Sequence, residues 1–263
     1  MTALISTRDL SVRIGGHDVC RALNWQVNPG ERWAILGKNG VGKSTLLTTL
    51  AGLRTAEAGV LTVCGETIGV SPAPSFSVAL QRSLARRRGY LTQHHSDPFP
   101  STVMETALIG RHPHLGRWDW ESETDRQISR VALTEVDLTD FAAREVQTLS
   151  GGERQRLAVA QLLTQQPQLF LLDEPLTHLD LSHQVAVMEL FRQRTQSDAA
   201  MVAVLHDPGF AVRYCEHALL LFGAGEWLAG PSHEIITAAN LSRLYGHRLR
   251  EIVSDNDRWF IPC

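Results

Sequence analysis

Cysteine is scarce in this 263-residue chain, and the four present, Cys20, Cys64, Cys215 and Cys263, lie far apart with no CxxC pair. That spacing argues against a disulfide framework and offers no zinc pattern, so they read as small apolar residues or free thiols. No run approaches roughly 18 uninterrupted apolar residues, the length a spanning helix needs. The opening stretch, Met1-Thr2-Ala3-Leu4-Ile5-Ser6-Thr7-Arg8, lacks the charged and long apolar regions of a secretory signal, which makes the cytosol the default expectation. An excess of one charge is also missing: a net charge of −3 gives no support for a bulk grip on nucleic acid, and Arg86-Arg87-Arg88 reads as a local solvated patch. Internal repeats are lacking, so the chain reads as one unit.

What the chain does have is Gly37-Lys38-Asn39-Gly40-Val41-Gly42-Lys43-Ser44, which fits GxxxxGK followed by Ser or Thr. The apolar run Trp33 to Leu36 precedes it, and Leu46, Leu47, Leu50 and Leu53 follow at helical spacing, so strand, loop and helix stand in the required order. Glycines let successive N–H groups point inward, and the start of the next helix adds partial positive charge, a combination that suits a polyphosphate. In that frame Lys43 reaches the β- and γ-phosphates, and Ser44 offers a hydroxyl to Mg²⁺.

Leu10 to Ile14 and Trp25 to Val27 read as short strands interrupted by turn signals, an antiparallel edge laid beside the phosphate-loop strand. Val60 to Val63 forms another strand. Gly69 to Ser77 reads as a surface loop, Val78 to Arg88 as a short basic helix, and Tyr90 to Gln93 as a strand. From 94 to about 165 helical spacing takes over, which predicts an inserted, mainly helical subdomain. After it come strand Leu169 to Leu172, a helix from Leu181 to Arg194, strand Met201 to Leu205, a helix through Ala211 and strand Ala218 to Phe222. Continuous apolar strands alternating with helices predict an α/β fold with a parallel sheet covered on both faces. The expected layout is a core over 1–93 and 166–235, a helical subdomain over 94–165 and a C-terminal extension over 236–263.

Three further stretches carry chemistry. Leu169-Phe170-Leu171-Leu172 ends in Asp173-Glu174, at the strand end where open α/β sheets bind ligands; there Asp173 can hold Mg²⁺ and Glu174 can orient or deprotonate water. Leu149-Ser150-Gly151-Gly152-Glu153-Arg154-Gln155-Arg156 runs from a turn into a helix. Its residues suit either a capping box between Ser150 and Glu153 or a second phosphate site. His206 follows an apolar strand and falls near the same sheet edge as Glu174, with Asp207-Pro208 suited to a helix start. The pairs His94-His95 and His112-Pro113-His114 have no ligand spacing and read as surface loop.

Taken together and in order, Gly37 to Ser44, Gln93, Leu149 to Arg156, Leu169 to Glu174, Leu179-Asp180 and His206 resemble the Walker A, Q-loop, signature, Walker B, D-loop and switch-histidine motifs of ATP-binding cassette (ABC) ATPases. The resemblance covers nearly the whole chain, and LSGGERQR is its most specific part. It implies a phosphate-loop NTPase (RecA-like) core that binds ATP and Mg²⁺, with the loop through Thr45 on the nucleotide. It further implies Ser44, Gln93 and Asp173 on Mg²⁺, Gln93 also on the attacking water, Glu174 as general base and His206 on the γ-phosphate. Ser150, Gly151 and Gly152 would then close on ATP held by a second copy of the chain. One position departs from the pattern: the family usually stacks an aromatic residue on adenine, and Ile14 stands where this chain should carry it, unless Trp25 or another ring lies closer.

Thr106 to Gly116 resembles the Gly-Arg-x-Pro-His stretch of importers for iron siderophores, haem and cobalamin, and the tail from Leu241 through Pro262 resembles that group's ending. This implies integral permease subunits docking beside Gln93, an indirect link to a substrate-binding protein, and a peripheral position on the cytoplasmic face of the bacterial inner membrane. The stretch from Gly69 to Arg88 departs from the usual pattern. A soluble ABC ATPase acting on nucleic acid or ribosomes is the alternative; the coiled-coil insertion or second cassette usual there is not seen in this sequence. A phosphate-loop kinase or GTPase would lack the signature stretch.

Overall fold

The computed structural model describes residues 2–68, 78–93, 100–196, 198–254 and 257–263. The first strands are β1 (Ile5–Ile14), β2 (His17–Val27) and β3 (Arg32–Gly37), followed by α1 (Lys43–Leu50), β4 (Ala58–Val63), β5 (Glu66–Ile68), α2 (Val78–Arg87) and β6 (Arg88–Leu91). Helices then dominate: α3 (Val103–Leu108), a 3-10 helix over Ile109–His114, α4 (Glu123–Glu135) and α5 (Gly151–Gln165). The second half alternates β7 (Leu169–Asp173), α6 (Leu181–Arg194), β8 (Ala200–Val204), α7 (Pro208–Tyr214), β9 (His217–Gly223) and β10 (Glu226–Pro231). It closes with α8 (Ser232–Ile235), α9 (Ala238–Tyr245) and the hairpin β11 (Leu249–Ser254) and β12 (Asp257–Pro262). The expected surface loop over 69–77 and the pair His94-His95 lie outside the described residues.

Among the described residues, one sheet runs β10-β9-β3-β8-β7-β6, with β10 antiparallel to β9 and the other pairings parallel. Its central strands are buried on both faces, which is why they read as unbroken apolar runs. Alternate residues feed two cores. Ala34, Leu36, Phe170, Leu172, Met201 and Ala203 face the one shared with α4, α5, α6 and α7. Trp33, Ile35, Leu169, Leu171 and Val202 face the other, shared with α1 and the antiparallel strands.

Those antiparallel strands differ from the expected arrangement. They are longer and form a separate sheet, β2-β1-β4-β5, rather than lying beside β3 in its own sheet. The cause is packing: Ile5, Leu10, Val12 and Leu23 bury one face against α1 and the main sheet, and a second layer buries more apolar area than an added edge strand.

The basic stretch is also less solvated than its composition suggests. Arg87 pairs with Glu66 at 2.8 Å, Arg86 Nε donates to Pro113 O at 2.8 Å, and Arg88 is half-buried. His112 and His114 lie in the 3-10 helix rather than in a loop, with His114 Nε2 2.9 Å from Gln165 O.

Candidate functional site: a nucleotide cleft at the sheet edge

Strand order decides which residues meet. Because β3, β8, β7 and β6 are successive parallel neighbours, their C-terminal ends deliver the phosphate loop, His206, Asp173-Glu174 and Gln93 to one edge. Ile14, Asn39, Gly40, Gly42, Lys43, Ser44, Thr45, Gln93, Glu174 and His206 line a single cleft of about 500 Å³ there.

Gly42 shows why the loop needs glycine. Its φ of 105° is left-handed, and a Cβ would fall 2.4 Å from Val19 Cγ2. It precedes α1 with no side-chain cap and no acid in the first turn, so the helix start is left for an anion. Gly37, Lys38 and Val41 shape the turn: Val41 N–H donates to Lys38 O at 3.3 Å. Lys43 is buried, and its ammonium curls back onto Gly37 O at 2.9 Å and Lys38 O at 3.1 Å. Burial holds its pKa below the usual lysine value, against the opposing charges of Glu174 and Asp173.

Across the cleft the acids stand in two small networks. Ser44 Oγ donates to Asp173 Oδ1 at 3.0 Å. Burial pushes Asp173 above the usual carboxylate range and the Glu174 charge adds to this, while the Ser44 hydrogen bond, Lys43 and His206 oppose it. Glu174 accepts from Gln93 Nε2 at 3.0 Å and lies 2.8 Å from His206 Nε2. Its φ of 52° is left-handed, a conformation that costs a non-glycine residue roughly 1–3 kcal/mol and that recurs at functional sites.

Ser150, Gly151 and Gly152 are not among the residues lining this cleft. Ser150 caps α5 in a full capping box: its hydroxyl accepts from Glu153 N, and Glu153 Oε2 accepts from Ser150 N at 2.7 Å. Ser150 and Gly151 are exposed. Ile14 does line the cleft, whereas Trp25 is packed edge-on against Trp33 in the core, with ring centroids 5.1 Å apart.

Two residues to which the sequence assigned no role join the site. Gln155 is buried in α5, and its Nε2 donates to Pro175 O at 2.9 Å, tying the signature helix to the segment that carries Glu174. Tyr90 on β6 faces Asp173; burial first, then the Asp173 charge, pushes its hydroxyl well above the usual range. Gln155 lies inside the signature stretch, but its contact, like that of Tyr90, carries no spacing signal until the fold brings the partners close.

A glycine loop, a helix start, a buried lysine and a serine–aspartate pair at one sheet edge define a phosphate-loop nucleotide-binding protein. The family described as ABC transporter matches residues 20–177. The hemin import ATP-binding protein HmuV of Streptomyces coelicolor is 38% identical over 242 residues, covering 92% of this chain and 83% of that protein. The ferric enterobactin transport ATP-binding protein FepC of Escherichia coli is 36% identical over 248 residues, 94% of this chain and 88% of that one. The cobalamin import ATP-binding protein BtuD of Halobacterium salinarum is 34% identical over 242 residues, 91% of this chain and 58% of that one. A chain from an inward-facing transporter classed as metal-chelate type superposes with a TM-score of 0.83 at 28% identity, over 100% of this chain and 98% of that one. The chain belongs to the ABC transporter family and is an ATPase of it. Among the described residues, no helix is long and apolar enough to cross a membrane.

Proposed function

We propose that this chain is the ATP-hydrolysing subunit of an importer that takes up a metal chelate, a haem, ferric siderophore or cobalamin, through separate permease subunits. The observation that carries the hydrolytic part is the pair of contacts on Glu174, from Gln93 and from His206, opposite Lys43 and Ser44. The substrate class rests on relatives named for hemin, ferric enterobactin and cobalamin. On this reading the chain works at the cytoplasmic face of the inner membrane as a peripheral subunit, linked indirectly to a substrate-binding protein.

Lys43 leaves the loop carbonyls for the phosphate oxygens, which replace two neutral acceptors by charged ones. Ser44 and Asp173, whose oxygens lie 3.0 Å apart, would hold Mg²⁺ as hard ligands, and Gln93, which lines the same cleft as Ser44, would join them. When bound, that ion neutralises charge developing on the phosphates. Glu174 accepts the proton of the attacking water, and Gln93 and His206 hold the carboxylate and the water in line. His206 then donates to the γ-phosphate oxygens. Ser150, Gly151 and Gly152 of a second copy complete each site.

Permease contact is assigned to the cleft of about 310 Å³ beside β6, lined by Thr92, Ile109, Gly110, Pro113 and Gln161, because movement at Gln93 reaches it through one residue.

Glu174→Gln tests the chemistry. ATP binding should persist in a filter or fluorescence assay while turnover falls by at least about 10²-fold, within the range for losing a general base. Near-normal turnover would remove Glu174 from that role. For the transport reading, the chain should copurify with membrane-embedded partners; salt-sensitive binding to DNA or ribosomes without them would favour a soluble ABC ATPase instead.

A further inference from the structure

The C-terminal segment meets the phosphate loop at a residue the proposed chemistry does not use. Lys38 is exposed and is not among the residues lining the nucleotide cleft. Its Nζ lies against Gly246, 2.9 Å from where a Cβ on that glycine would sit. Gly246 ends α9 with a left-handed φ of 68°, and its N–H donates to Ser242 O at 2.9 Å. The last carbonyls of a helix have no donor within it and carry the negative end of its dipole, so an ammonium placed there is attracted. Glycine serves twice at this position: it takes the left-handed turn, and it leaves room for the lysine.

The helix end is well anchored. Leu241 and Leu244 are buried in the core that also holds Leu36 and Leu220. Arg243 pairs with Glu226 at 2.5 Å and covers the Phe222 ring, its guanidinium 4.3 Å from the centroid. Leu249 N–H donates to Ser242 Oγ at 2.8 Å, which ties α9 to the start of β11. Helix α9 packs on β9, and β9 is the neighbour of β3, so the anchored helix stands beside the loop that leaves β3. The loop itself is rich in glycine: Gly40 and Gly42 have φ of 78° and 105°, and glycine loses more freedom on being ordered than any other residue. Lys38 is its pivot, because Lys38 O accepts from Val41 N–H at 3.3 Å and from Lys43 Nζ at 3.1 Å.

We propose that Lys38 is a positioning residue for ATP: its ammonium, seated at the C-terminal end of α9, braces the phosphate loop in the form that receives the nucleotide, and the C-terminal segment is thereby part of the binding machinery. A loop ordered beforehand gives up less freedom when the phosphates arrive. The inference rests on the reading that places ATP in the loop 37–44.

Lys38→Met keeps most of the reach and removes the charge from an exposed position, so the chain stays folded. In the full-length chain, a calorimetric titration with ATP and Mg²⁺ should show Kd raised about two- to fivefold, the worth of an exposed charge at a helix end. Lys38→Arg should restore the affinity. Gly246→Ala puts a methyl group where the ammonium sits and should raise Kd by a similar factor, yet add nothing in the Lys38→Met background, since both changes break the same contact. An unchanged Kd in Lys38→Met would overturn the proposal, as would an equal added loss in the double variant. A raised Kd in Lys38→Met beside a normal Gly246→Ala would also overturn it, because Lys38 would then act on the phosphates without α9. Normal ATP affinity in Lys43→Ala would sink the placement of ATP in the loop first; a weakened Lys43→Ala beside a normal Lys38→Met would sink only the brace.

Discussion

Ile14 decides how the base end of the cleft works. It is 40% exposed at the end of β1 and lines the same cleft as Lys43 and Thr45, while the nearby tryptophans are committed to the core. An isoleucine offers contact but no π-face, and base stacking on an aromatic side chain is worth roughly 1–3 kcal/mol. Ile14→Tyr should therefore tighten ATP binding at least about fivefold in a calorimetric titration. An unchanged or weaker affinity would mean that Ile14 does not lie over the base. Residues of this kind were legible in the sequence because chemistry restricts their identity: Lys43, Ser44, Asp173 and Glu174 are each forced by phosphate, metal or water. The contacts of Gln155 and Tyr90 were not legible, although Gln155 lies in the signature stretch, because their partners, a proline carbonyl and a carboxylate, are distant in sequence and become neighbours only through the fold.

At the level of elements, the Gly-Arg-x-Pro-His stretch that resembles metal-chelate importers has a packing explanation inside this chain. Gly110 lets the 3-10 helix touch α5, since a Cβ would fall 2.2 Å from Gln161 O. Arg111 is buried and donates to Asp125 Oδ1 at 2.8 Å, Thr164 O at 3.1 Å and Gln166 Oε1 at 3.2 Å, so one guanidinium joins α4 to the end of α5. Asp125 is also the partner of Ser122 in the capping box of α4. The Ser122 hydroxyl, with Arg111 adding, holds the Asp125 carboxyl down at about 2. Arg111→Ala leaves that carboxylate buried without its counter-ion and should destabilise the helices by about 3–5 kcal/mol in denaturant unfolding. A depressed carboxylate contributes stability that is present above its unfolded value, near 3.9, and is lost as pH falls toward 2. Asp125→Asn should remove that acid-sensitive component between about pH 4 and 2, measured as a flatter dependence of unfolding midpoint on pH. Helix positions here followed from periodicity, and α6 spans the expected Leu181–Arg194, but the bond from Arg111 to the end of α5 did not, because a side-chain hydrogen bond to a backbone carbonyl 53 residues away leaves no local trace.

For the whole molecule, the parallel core was legible because two-sided burial writes itself as apolar runs. The separate antiparallel sheet was not, since a strand's sequence does not state which sheet it joins. On the proposed function, the single chain supplies only one side of its nucleotide site. Ser150 and Gly151 are exposed and outside the cleft that holds Lys43 and Glu174, although Gln155 couples their helix to the Glu174 segment. A helix start with small exposed residues, tied by the Gln155–Pro175 hydrogen bond to the segment that carries Glu174 yet outside its own phosphate cleft, suits the proposal that it closes on a partner's ATP. Ser150→Arg places a long cation at that surface and removes the α5 cap, which alone costs about 1 kcal/mol and leaves a chain of this size folded. Nucleotide affinity at the phosphate loop should stay within about twofold, because no lining residue has changed. Wild-type turnover per chain should rise with protein concentration as two copies close on ATP, and the variant should lose that rise together with its hydrolysis. If concentration-dependent ATPase activity survives in Ser150→Arg, the start of α5 does not complete the partner's site.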